Sequence, residues 1–533
     1  MSSLVPYFKA QETLSYAEKV GQLFMPAAFI NDSESEICQL EKLIQEFHVG
    51  GLCFFHSRAS AATNFEGKKK IVYNQDSFST LKSLIARYQK AAKYPLLISI
   101  DAEWGLAMRI ENTPQYPYAI TLGALDGHED LIFELGKNIA KDCKAAGIHW
   151  NLSPVVDINS NPNNPVIGYR SFGEDKDLVT TKALAYIQGM QSEGILCAIK
   201  HFPGHGDTAT DSHLGLPLIE KSKQELWENE LYPFRKLIAK GIDAVMVGHL
   251  SVPALAGGST LSSSISKAII TGLLRDEMGF KGVVISDALN MHAVSKSHSI
   301  KGELEWLAFD AGNDILCFAE HITEGIATIL KKSTKEAINT SFERIWKLKE
   351  KAFHHTVLPN SSLSDATALH LKIAAQSLTV LPENKLDSAA FTDEKFVGIS
   401  VGNDDPNFFF EEITKTHKLA HFSMRKTPLA AINTRIQTAD RVLLALFPPK
   451  VKPLNNFDFL IEELHFIHDI ITSKSTVLYL FGNPYVLPLL PMEKLDYIAI
   501  VYQDFQAFQE NAAQHFLGKK IAPGKFPVML KQI

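Results

Sequence analysis

The stretch Lys281-Gly282-Val283-Val284-Ile285-Ser286-Asp287 is the clearest strand signal in this 533-residue chain. Its apolar residues follow one another without polar alternation, which is typical of a parallel strand buried on both faces. The carboxylate of Asp287 ends the run, and a helical pattern begins directly after it. This order predicts one strand-and-helix unit of an α/β protein.

Seven similar apolar runs lie in the first ~330 residues, a length consistent with one large α/β barrel domain. The predicted strands cover residues 23–27, 49–55, 95–101, 148–155, 195–200, 242–249, 281–287 and 314–318. Amphipathic stretches between and after them predict helices over 36–47, 77–92, 128–146, 178–192, 222–239, 264–278, 304–311, 321–332 and 335–353. Eight strands that alternate with helices predict a TIM-like (β/α)8 barrel, with a doubly wound open sheet as the alternative.

Polar residues favour the barrel over the open sheet. Asp101, Lys200, His249 and Asp287 each end a different predicted strand. Barrel enzymes take their catalytic residues from the carboxyl ends of several strands, so these side chains are expected to converge.

A second, smaller domain is predicted after a turn-rich segment at 354–365. We expect a barrel domain over 1–355, a linker over 356–370 and an αβα sandwich over 371–533. The sandwich is predicted to hold a mostly parallel sheet. Its predicted strands are 377–381, 396–401, 442–447, 476–481 and 497–502, and its predicted helices include 458–471 and 505–517.

Composition excludes several classes of protein. Hydrophobic residues make up 46% and charged residues 21% of the chain, which is ordinary for a globular protein. Lys and Arg total 53 against 59 for Asp and Glu, without basic runs, so we expect no nucleic-acid partner. No apolar run of membrane-spanning length occurs, so no membrane association is expected. The beginning of the sequence lacks a secretory signal pattern, which predicts a cytoplasmic protein, or a periplasmic one if a leader was trimmed. Five dispersed cysteines read as free thiols.

The densest polar segment is Lys200-His-Phe-Pro-Gly-His-Gly-Asp-Thr-Ala-Thr-Asp-Ser-His-Leu-Gly-Leu-Pro217, directly after a predicted strand. Its side chains could be metal ligands, namely His201, His205, Asp207, Asp211 and His213. Pro203 and two glycines deny this segment a helical face, so we expect no metal site. Asp211 lies two residues before His213, which suits a carboxylate that orients an imidazole for acid/base chemistry. A loop satisfied by its own hydrogen bonds is the third interpretation that the pattern allows.

Further charged residues follow other strands. Asp287 could be a nucleophile, a metal ligand or a helix N-cap. Asp101 and Arg109 lie in one strand-end segment, and Arg170 lies in the turn-rich loop 164–175. Fixed acceptors and charged donors on convergent loops are what a polyhydroxylated ligand requires.

Three strings together resemble glycoside hydrolase family 3, and within it the β-N-acetylglucosaminidase branch. They are the segment 200–217, Asn164-Pro-Val-Ile-Gly-Tyr-Arg-Ser-Phe-Gly173 and Ser286-Asp-Ala-Leu-Asn-Met291, and the resemblance extends over most of the first ~350 residues of a barrel-sized domain. The resemblance implies that Asp287 is the nucleophile and that His213, assisted by Asp211, is the acid/base. It also implies a set of sugar-binding residues: Asp101, Arg109, Arg170, Lys200, His201 and His249.

The function implied by the resemblance is that of a retaining exo-β-N-acetylglucosaminidase. It would hydrolyse terminal non-reducing N-acetylglucosamine (GlcNAc), taken from peptidoglycan-derived fragments, without a cofactor or metal. We expect a monomer or weak homodimer. The alternatives are a β-glucosidase, β-xylosidase or glycoside phosphorylase on the same scaffold, or an inactive sugar-binding protein. Ala288 departs from the family pattern, since many relatives have a second Asp after the nucleophile.

Overall fold

The computed structural model describes residues 4–58, 72–209, 215–354, 362–381, 391–392 and 394–529. The chain forms two compact units. The first contains residues up to 116, then 133–158 and 179–365, and the second contains 117–132, 159–178 and the chain from 366 onward. The predicted domains are continuous stretches of sequence. The two observed units are not, because residues 117–132 and 159–178 group with the second unit. Of the predicted linker, residues 356–361 lie outside the described residues.

Within the described residues, the first unit contains nine parallel strands that form a ring. They are β1 (Phe24–Met25), β2 (Ala27–Phe29), β3 (Gly51–Phe55), β4 (Leu97–Ile100), β5 (Trp150–Asn151), β6 (Leu196–Phe202), β7 (Ala244–Val247), β8 (Val283–Ser286) and β9 (Leu316–Cys317). Strands β2 to β8 pair in sequence order, and β1 pairs with β9. A bridge between Ile285 and Ile315 joins β8 to the chain that enters β9. Only Pro26 separates β1 from β2, so these two short strands occupy one position of the ring. The pairings therefore connect eight strand positions, which confirms the predicted barrel-type α/β fold.

The strands are buried on both faces because helices cover the outside of the ring while side chains fill its interior. In β3 the Phe54 ring lies 6.3 Å from Tyr88 in the helix Ser77–Ala91, so it points outward. Side chains alternate along a strand, so Cys53 and Phe55 point inward. Because the strands are parallel, their carboxyl ends all lie at one mouth of the barrel. The residues that follow the strands therefore lie at this mouth.

The helices that lie wholly or mostly in the first unit include at least one in every stretch predicted as helical between the strands, although one predicted helix is divided into two. Their bounds are Tyr7–Thr13, Tyr16–Gly21, Glu34–Phe47, Ser77–Ala91, Glu129–Ala146, Lys176–Ser192, Lys223–Glu228, Tyr232–Ile238, His292–Ser295, Glu303–Ala311, Ile322–Lys332 and Lys335–His354, with a π-helix at Ala268–Glu277. Single 3-10 turns occur at Leu106–Met108, Pro253–Leu255 and Ser263–Ile265. The predicted helix 222–239 is wrong as one element, because Asn229 leaves helical geometry and a second helix begins with Pro233 near its start.

The second unit confirms the expected sheet with mostly parallel strands. These are β10 (Thr379–Leu381), β11 (Phe396–Gly402), β12 (His421–Ser423), β13 (Arg441–Phe447), β14 (Ser475–Leu480) and β15 (Tyr497–Ile500). Their order is β10-β15-β14-β13-β11-β12, and only the β10–β15 pairing is antiparallel. The helices of this unit are Ala119–Gly123, Thr367–Ser377, Phe408–Thr414, Leu429–Thr438, Ile461–Ser473 and Gln506–Phe516, and 3-10 turns lie at Gly168–Arg170, Leu454–Asp458, Pro484–Leu489 and Met492–Lys494.

None of the helices within the described ranges combines the length and the apolar character needed to cross a membrane.

Candidate active site

A buried charge network lies at the mouth of the barrel, between the ends of β4 and β6. The Lys200 ammonium is 2.8 Å from Asp101 Oδ1 and 2.9 Å from Glu103 Oε1, and its side chain is only 2% exposed. Arg109 Nη2 donates to Asp101 Oδ2 at 2.8 Å. Two carboxylates and two cations are therefore linked in one network, in which the Lys200 and Glu103 side chains are almost fully shielded from water.

These cations keep Asp101 ionised. Burial alone raises the pKa of the Asp101 carboxyl, but the charges and hydrogen bonds of Lys200 and Arg109 outweigh it and hold that pKa well below its usual range. An ionised carboxylate between fixed cations is a strong acceptor for ligand hydroxyl groups, and the neighbouring cations supply charged donors. This corner of the mouth is chemically suited to bind a sugar.

An aromatic wall borders the charge network. The Arg109 guanidinium lies 5.4 Å from the centre of the Phe55 ring, at the end of β3. The Phe55 ring is 5.2 Å from that of Phe318, which follows β9, and both rings are partly exposed. Among the described residues, no hydrogen-bond partner reaches the buried Arg109 Nε. An apolar wall beside charged groups matches the mixed polar and C–H surface of a pyranose ring.

Asp157 organises the chain at the end of β6. Its carboxylate is fully buried, lies 2.8 Å from His201 Nδ1 and accepts the backbone N–H groups of His201 and His205 at 3.1 and 2.7 Å. Burial opposes ionisation, but the two histidines and the backbone donors lower the pKa of Asp157 below its ordinary value. The hydrogen bond fixes the His201 ring and sets which of its nitrogens faces away from Asp157.

Asp287 follows β8, and its backbone N–H donates to Val247 O in β7 at 2.9 Å. The next amide, of Ala288, donates to Asp287 Oδ1 at 2.8 Å and so fixes the carboxylate orientation. His249 Nε2 lies 2.9 Å from the Ala288 carbonyl, and its Nδ1 lies 2.7 Å from Ser264 Oγ. A carbonyl only accepts, so Nε2 carries the proton and Nδ1 accepts from the hydroxyl.

The charges of Asp101 and Asp287 both act on one interior thiol. The pKa of the buried Cys317 thiol is raised by its hydrogen bond with Cys53, by burial, and by the negative charges of both Asp101 and Asp287. Strands β4 and β8 are four positions apart in the ring of eight, so the two carboxylates come from opposite sides of the mouth. A ligand between them would face the charge network on one side and Asp287 on the other.

The sequence profile described as the "Glycosyl hydrolase family 3 N terminal domain" matches residues 15–348, well over half of the chain. The chain belongs to glycosyl hydrolase family 3.

Individual relatives of this family 3 enzyme are named as glycosidases. Beta-hexosaminidase A of Pseudoalteromonas piscicida is 30% identical over 456 residues, which cover 77% of this chain and 73% of the relative. A beta-N-acetylglucosaminidase/beta-glucosidase of Cellulomonas fimi is 29% identical over 388 residues, or 69% and 64% of the two chains. The solved family 3 beta-N-acetylglucosaminidase of Paenibacillus sp. str. FPU-7 is 28% identical with a TM-score of 0.78, covering 97% of this chain and 99% of that one. The protein is therefore a glycoside hydrolase.

The structure of this family 3 enzyme brings most of the expected barrel residues together. Asp101, Arg109 and Lys200 form one network, and His249 is connected to Asp287 through Ala288. Arg170 belongs to the second unit, where its Nη1 donates to Val166 O at 3.2 Å. Asp211 and His213 lie outside the described residues.

Two buried carboxylates of the site were not singled out from the sequence. Asp157 follows the predicted strand 148–155, so the signal that identified Asp101 and Asp287, an acid after an apolar strand, applies to it as well. Glu103 lies two residues beyond Asp101, where alternation returns its side chain to the mouth. Phe55 had no such signal, because an aromatic residue in a buried strand is ordinary core.

Proposed function

We propose that this family 3 glycosidase is a retaining exo-β-N-acetylglucosaminidase that releases terminal non-reducing GlcNAc. The observations that carry the proposal are the oriented Asp287 carboxylate after β8 and the buried charge network of Asp101, Lys200 and Arg109 at the ends of β4 and β6. The names of the Pseudoalteromonas and Paenibacillus relatives support GlcNAc as the sugar.

Asp287 would be the nucleophile. Its carboxylate would attack the anomeric carbon while protonated His213 donates its proton to the departing glycosidic oxygen, through an oxocarbenium-like transition state. Neutral His213, held by Asp211, would then take a proton from water, which hydrolyses the glycosyl–Asp287 ester with retained configuration. The roles of His213 and Asp211 rest on the sequence motif alone. A histidine suits this double role because its proton exchanges near neutral pH.

Sugar hydroxyl groups would bind at the charge network. Asp101 would accept hydrogen bonds from them, while Lys200 and Arg109 would donate, and His201 would present the ring nitrogen that Asp157 leaves available for a ligand. Arg170 is proposed as a further sugar ligand from the sequence motif. Both nitrogens of His249 already contact protein groups, so we propose that it orients the Asp287 segment and does not itself hold the sugar.

A panel of p-nitrophenyl glycosides tests the sugar preference. We expect kcat/KM for the GlcNAc derivative to exceed that for the glucoside and xyloside, and added phosphate to leave the product as free GlcNAc. A tenfold preference for glucose would favour the second candidate, a β-glucosidase, which the double name of the Cellulomonas relative suggests. A sugar phosphate product would instead establish a phosphorylase.

Two variants test the catalytic roles. Asp287→Ala and His213→Ala should each lower turnover by orders of magnitude, whereas Lys223→Met, which removes an exposed surface ion pair with Glu277, should not. Full activity in both site variants would show that the roles are assigned wrongly.

We further propose that the natural substrates are GlcNAc-containing peptidoglycan fragments handled in the cytoplasm by a monomer or weak homodimer. Release of GlcNAc from purified muropeptides, followed by mass spectrometry, tests the substrate, and sedimentation velocity tests the oligomeric state. Intact muropeptides after complete turnover of an aryl GlcNAc would restrict the proposal to other GlcNAc glycans.

A further inference from the structure

One lysine connects two points of the chain that lie on either side of Asp211 and His213 in the sequence. Lys221 Nζ lies 2.7 Å from Asp207 Oδ2 and 2.6 Å from Glu230 Oε1. Asp207 precedes Asp211 and His213 in the sequence, and Lys221 follows them. The ion pair thus brings together the chain that enters this segment and the chain that leaves it.

Glu230 is the fixed point of this three-residue cluster. Its carboxylate is 1% exposed, and among the described residues no hydrogen-bond partner reaches Oε2. Its side chain packs against Gly204, where a Cβ would come within 2.8 Å of Glu230 Cβ. A buried carboxylate with one strong cation partner depends on that partner, because a lone buried charge is costly.

The chain on both sides of the cluster is tied to the barrel. Upstream, His205 Nδ1 lies 2.8 Å from Thr208 Oγ1, and the His205 amide donates to the buried Asp157. Downstream, Ile219 N–H donates to Ser251 O at 2.9 Å, and Ser251 N–H donates to Pro217 O at 2.8 Å. Each end therefore has its own anchor, but only Lys221 joins the entering chain at Asp207 to the leaving chain among the described residues.

We propose that Lys221 is a positioning residue for acid/base catalysis: by holding Asp207 and Glu230 together, it fixes the separation of the chain ends between which Asp211 and His213 lie. The inference rests on the proposed role of His213. It adds a residue to the reaction that neither touches the sugar nor belongs to the motif strings.

The chemistry of lysine suits this function. A single ammonium carries three donors, so it can bind two carboxylates from different parts of the chain at once. Fixing the distance between two points of a chain reduces the number of arrangements open to the residues between them. Proton transfer to a leaving group depends on distance, and a shift of about 1 Å in a catalytic group can lower the rate about a hundredfold.

A purely structural role is the competing explanation. In that case Lys221 would only neutralise the buried Glu230, and its removal would lower stability without changing how the reaction depends on the leaving group. The experiment must therefore measure the dependence of kcat/KM on the leaving group, which does not change with the amount of folded enzyme.

The test compares Lys221→Met with the wild type on two GlcNAc glycosides, a 2,4-dinitrophenyl one that needs no acid and an alkyl one that does. Lys223→Met is the matched control, since it removes a nearby lysine that pairs with Glu277 at 2.8 Å on the surface. Asp207→Asn weakens the Lys221–Asp207 ion pair and leaves the buried Lys221–Glu230 ion pair intact. We call these two ion pairs the Lys221 clamp. The double variant Lys221→Met/Glu230→Gln removes the buried charge as well, and so restores folding if Lys221→Met alone is unstable.

We expect Lys221→Met and the double variant to lose at least about tenfold in kcat/KM on the alkyl substrate and about threefold or less on the dinitrophenyl one. The basic limb of their pH profile should move, KM should change little, and Asp207→Asn should show a smaller loss in the same direction. Equal losses on both substrates, or activity in the double variant equal to Lys223→Met, would overturn the inference.

The His213→Ala variant separates this outcome from failure of the proposed function. If His213→Ala selectively loses the alkyl substrate and the Lys221 variants do not, only the role of Lys221 is refuted. If His213→Ala shows no leaving-group dependence, the proposed acid/base is wrong and the inference falls with it.

Discussion

Replacement of Lys200 by methionine is the most informative single perturbation of the charge network. Methionine has a similar length but no charge, so Glu103 would lose its ammonium partner while Asp101 would keep Arg109. The Glu103 side chain is 7% exposed, so water cannot replace the lost cation. The variant should therefore affect stability as well as sugar binding.

The magnitude follows from the geometry. At the 2.8 Å between Lys200 and Asp101, unit charges in an effective dielectric of about 20 attract each other by about 6 kcal/mol. Most of this attraction offsets the loss of hydration on burial. Breaking a buried pair by removing one partner typically costs about 3–5 kcal/mol. We expect the free energy of unfolding of Lys200→Met to fall by about that amount near neutral pH.

The loss should depend on pH. Without Lys200, burial raises the pKa of Glu103 above its ordinary value of about 4.3. Between that value and the raised pKa, the folded state holds a proton that the unfolded state releases, so stability falls as pH rises through this window. The destabilisation should be larger at pH 8 than at pH 5. In the wild type, folding lowers the pKa of Asp101. The stabilisation that its ionised carboxylate gives the folded state is therefore complete above the unfolded-state pKa of about 3.9, and it is lost as pH falls below that value.

Urea denaturation at pH 5 and pH 8 measures both effects. Lys144→Met is a suitable control, because Lys144 and Glu193 are 3.3 Å apart with side chains 20% exposed, and such pairs contribute about 1 kcal/mol or less. The double variant Lys200→Met/Glu103→Gln should recover much of the stability at pH 8. A loss below about 1 kcal/mol, or one independent of pH, would refute the reasoning from the buried ion pairs.

Three further variants probe other parts of the barrel. Asp157→Asn should lower kcat/KM about ten- to a hundredfold in steady-state assays, because an amide cannot accept every hydrogen bond that the carboxylate takes from His201 and His205, and a retained circular dichroism spectrum excludes unfolding as the cause. His249→Gln should reduce kcat about tenfold with KM within about twofold, since it disturbs the segment after Asp287 without touching the sugar; an unchanged kcat would contradict that positioning role. Lys349 is buried, donates to Gln22 and to the Gly50 carbonyl, and has its pKa lowered to about 7 by burial. Above pH 7 the unfolded chain holds a proton that the folded state releases, so the free energy of unfolding of the wild type should rise by about 2 kcal/mol from pH 7 to 9. Thermal unfolding of Lys349→Met should not show this rise.

The barrel was predictable because its signals are local. Each strand is a short apolar run, as in 281–287, and each is bounded by an amphipathic stretch, so the pattern repeats regardless of distant contacts. The elements that escaped prediction depend on tertiary contacts. The helix Tyr7–Thr13 is too short to be stable alone and buries Ala10 against Phe342 and Trp346, more than 300 residues away. Strand β12 has three residues and an exposed His421, which leaves no apolar pattern to detect.

The candidate site was predictable where a charged residue directly ends a strand. Asp101, Lys200 and Asp287 each end a predicted strand; in the structure Asp101 and Asp287 directly follow β4 and β8, while Lys200 lies near the end of β6. Partners were not predictable, because the sequence does not show that Glu103 shares Lys200 or that Glu230 lies beside Gly204. Glu230 follows the helix Lys223–Glu228, where an acidic residue usually indicates a solvated face; its burial results from packing between segments distant in sequence.

Several contacts of the candidate site connect different strands of the barrel. Three residues at or near strand ends are bonded to groups that belong to or follow another strand: Lys200 to Asp101, His201 to Asp157, and Asp287, through its backbone N–H, to Val247 O. Because these bonds run around the ring of strands, the positions of the carboxylates are set by the barrel. Outside this ring, the Lys221 ion pairs join Asp207 and Glu230, and we propose that they hold the chain on both sides of Asp211 and His213. Loss of a bond within the ring should therefore weaken binding and stability together, while loss of the Lys221 clamp should affect proton transfer first.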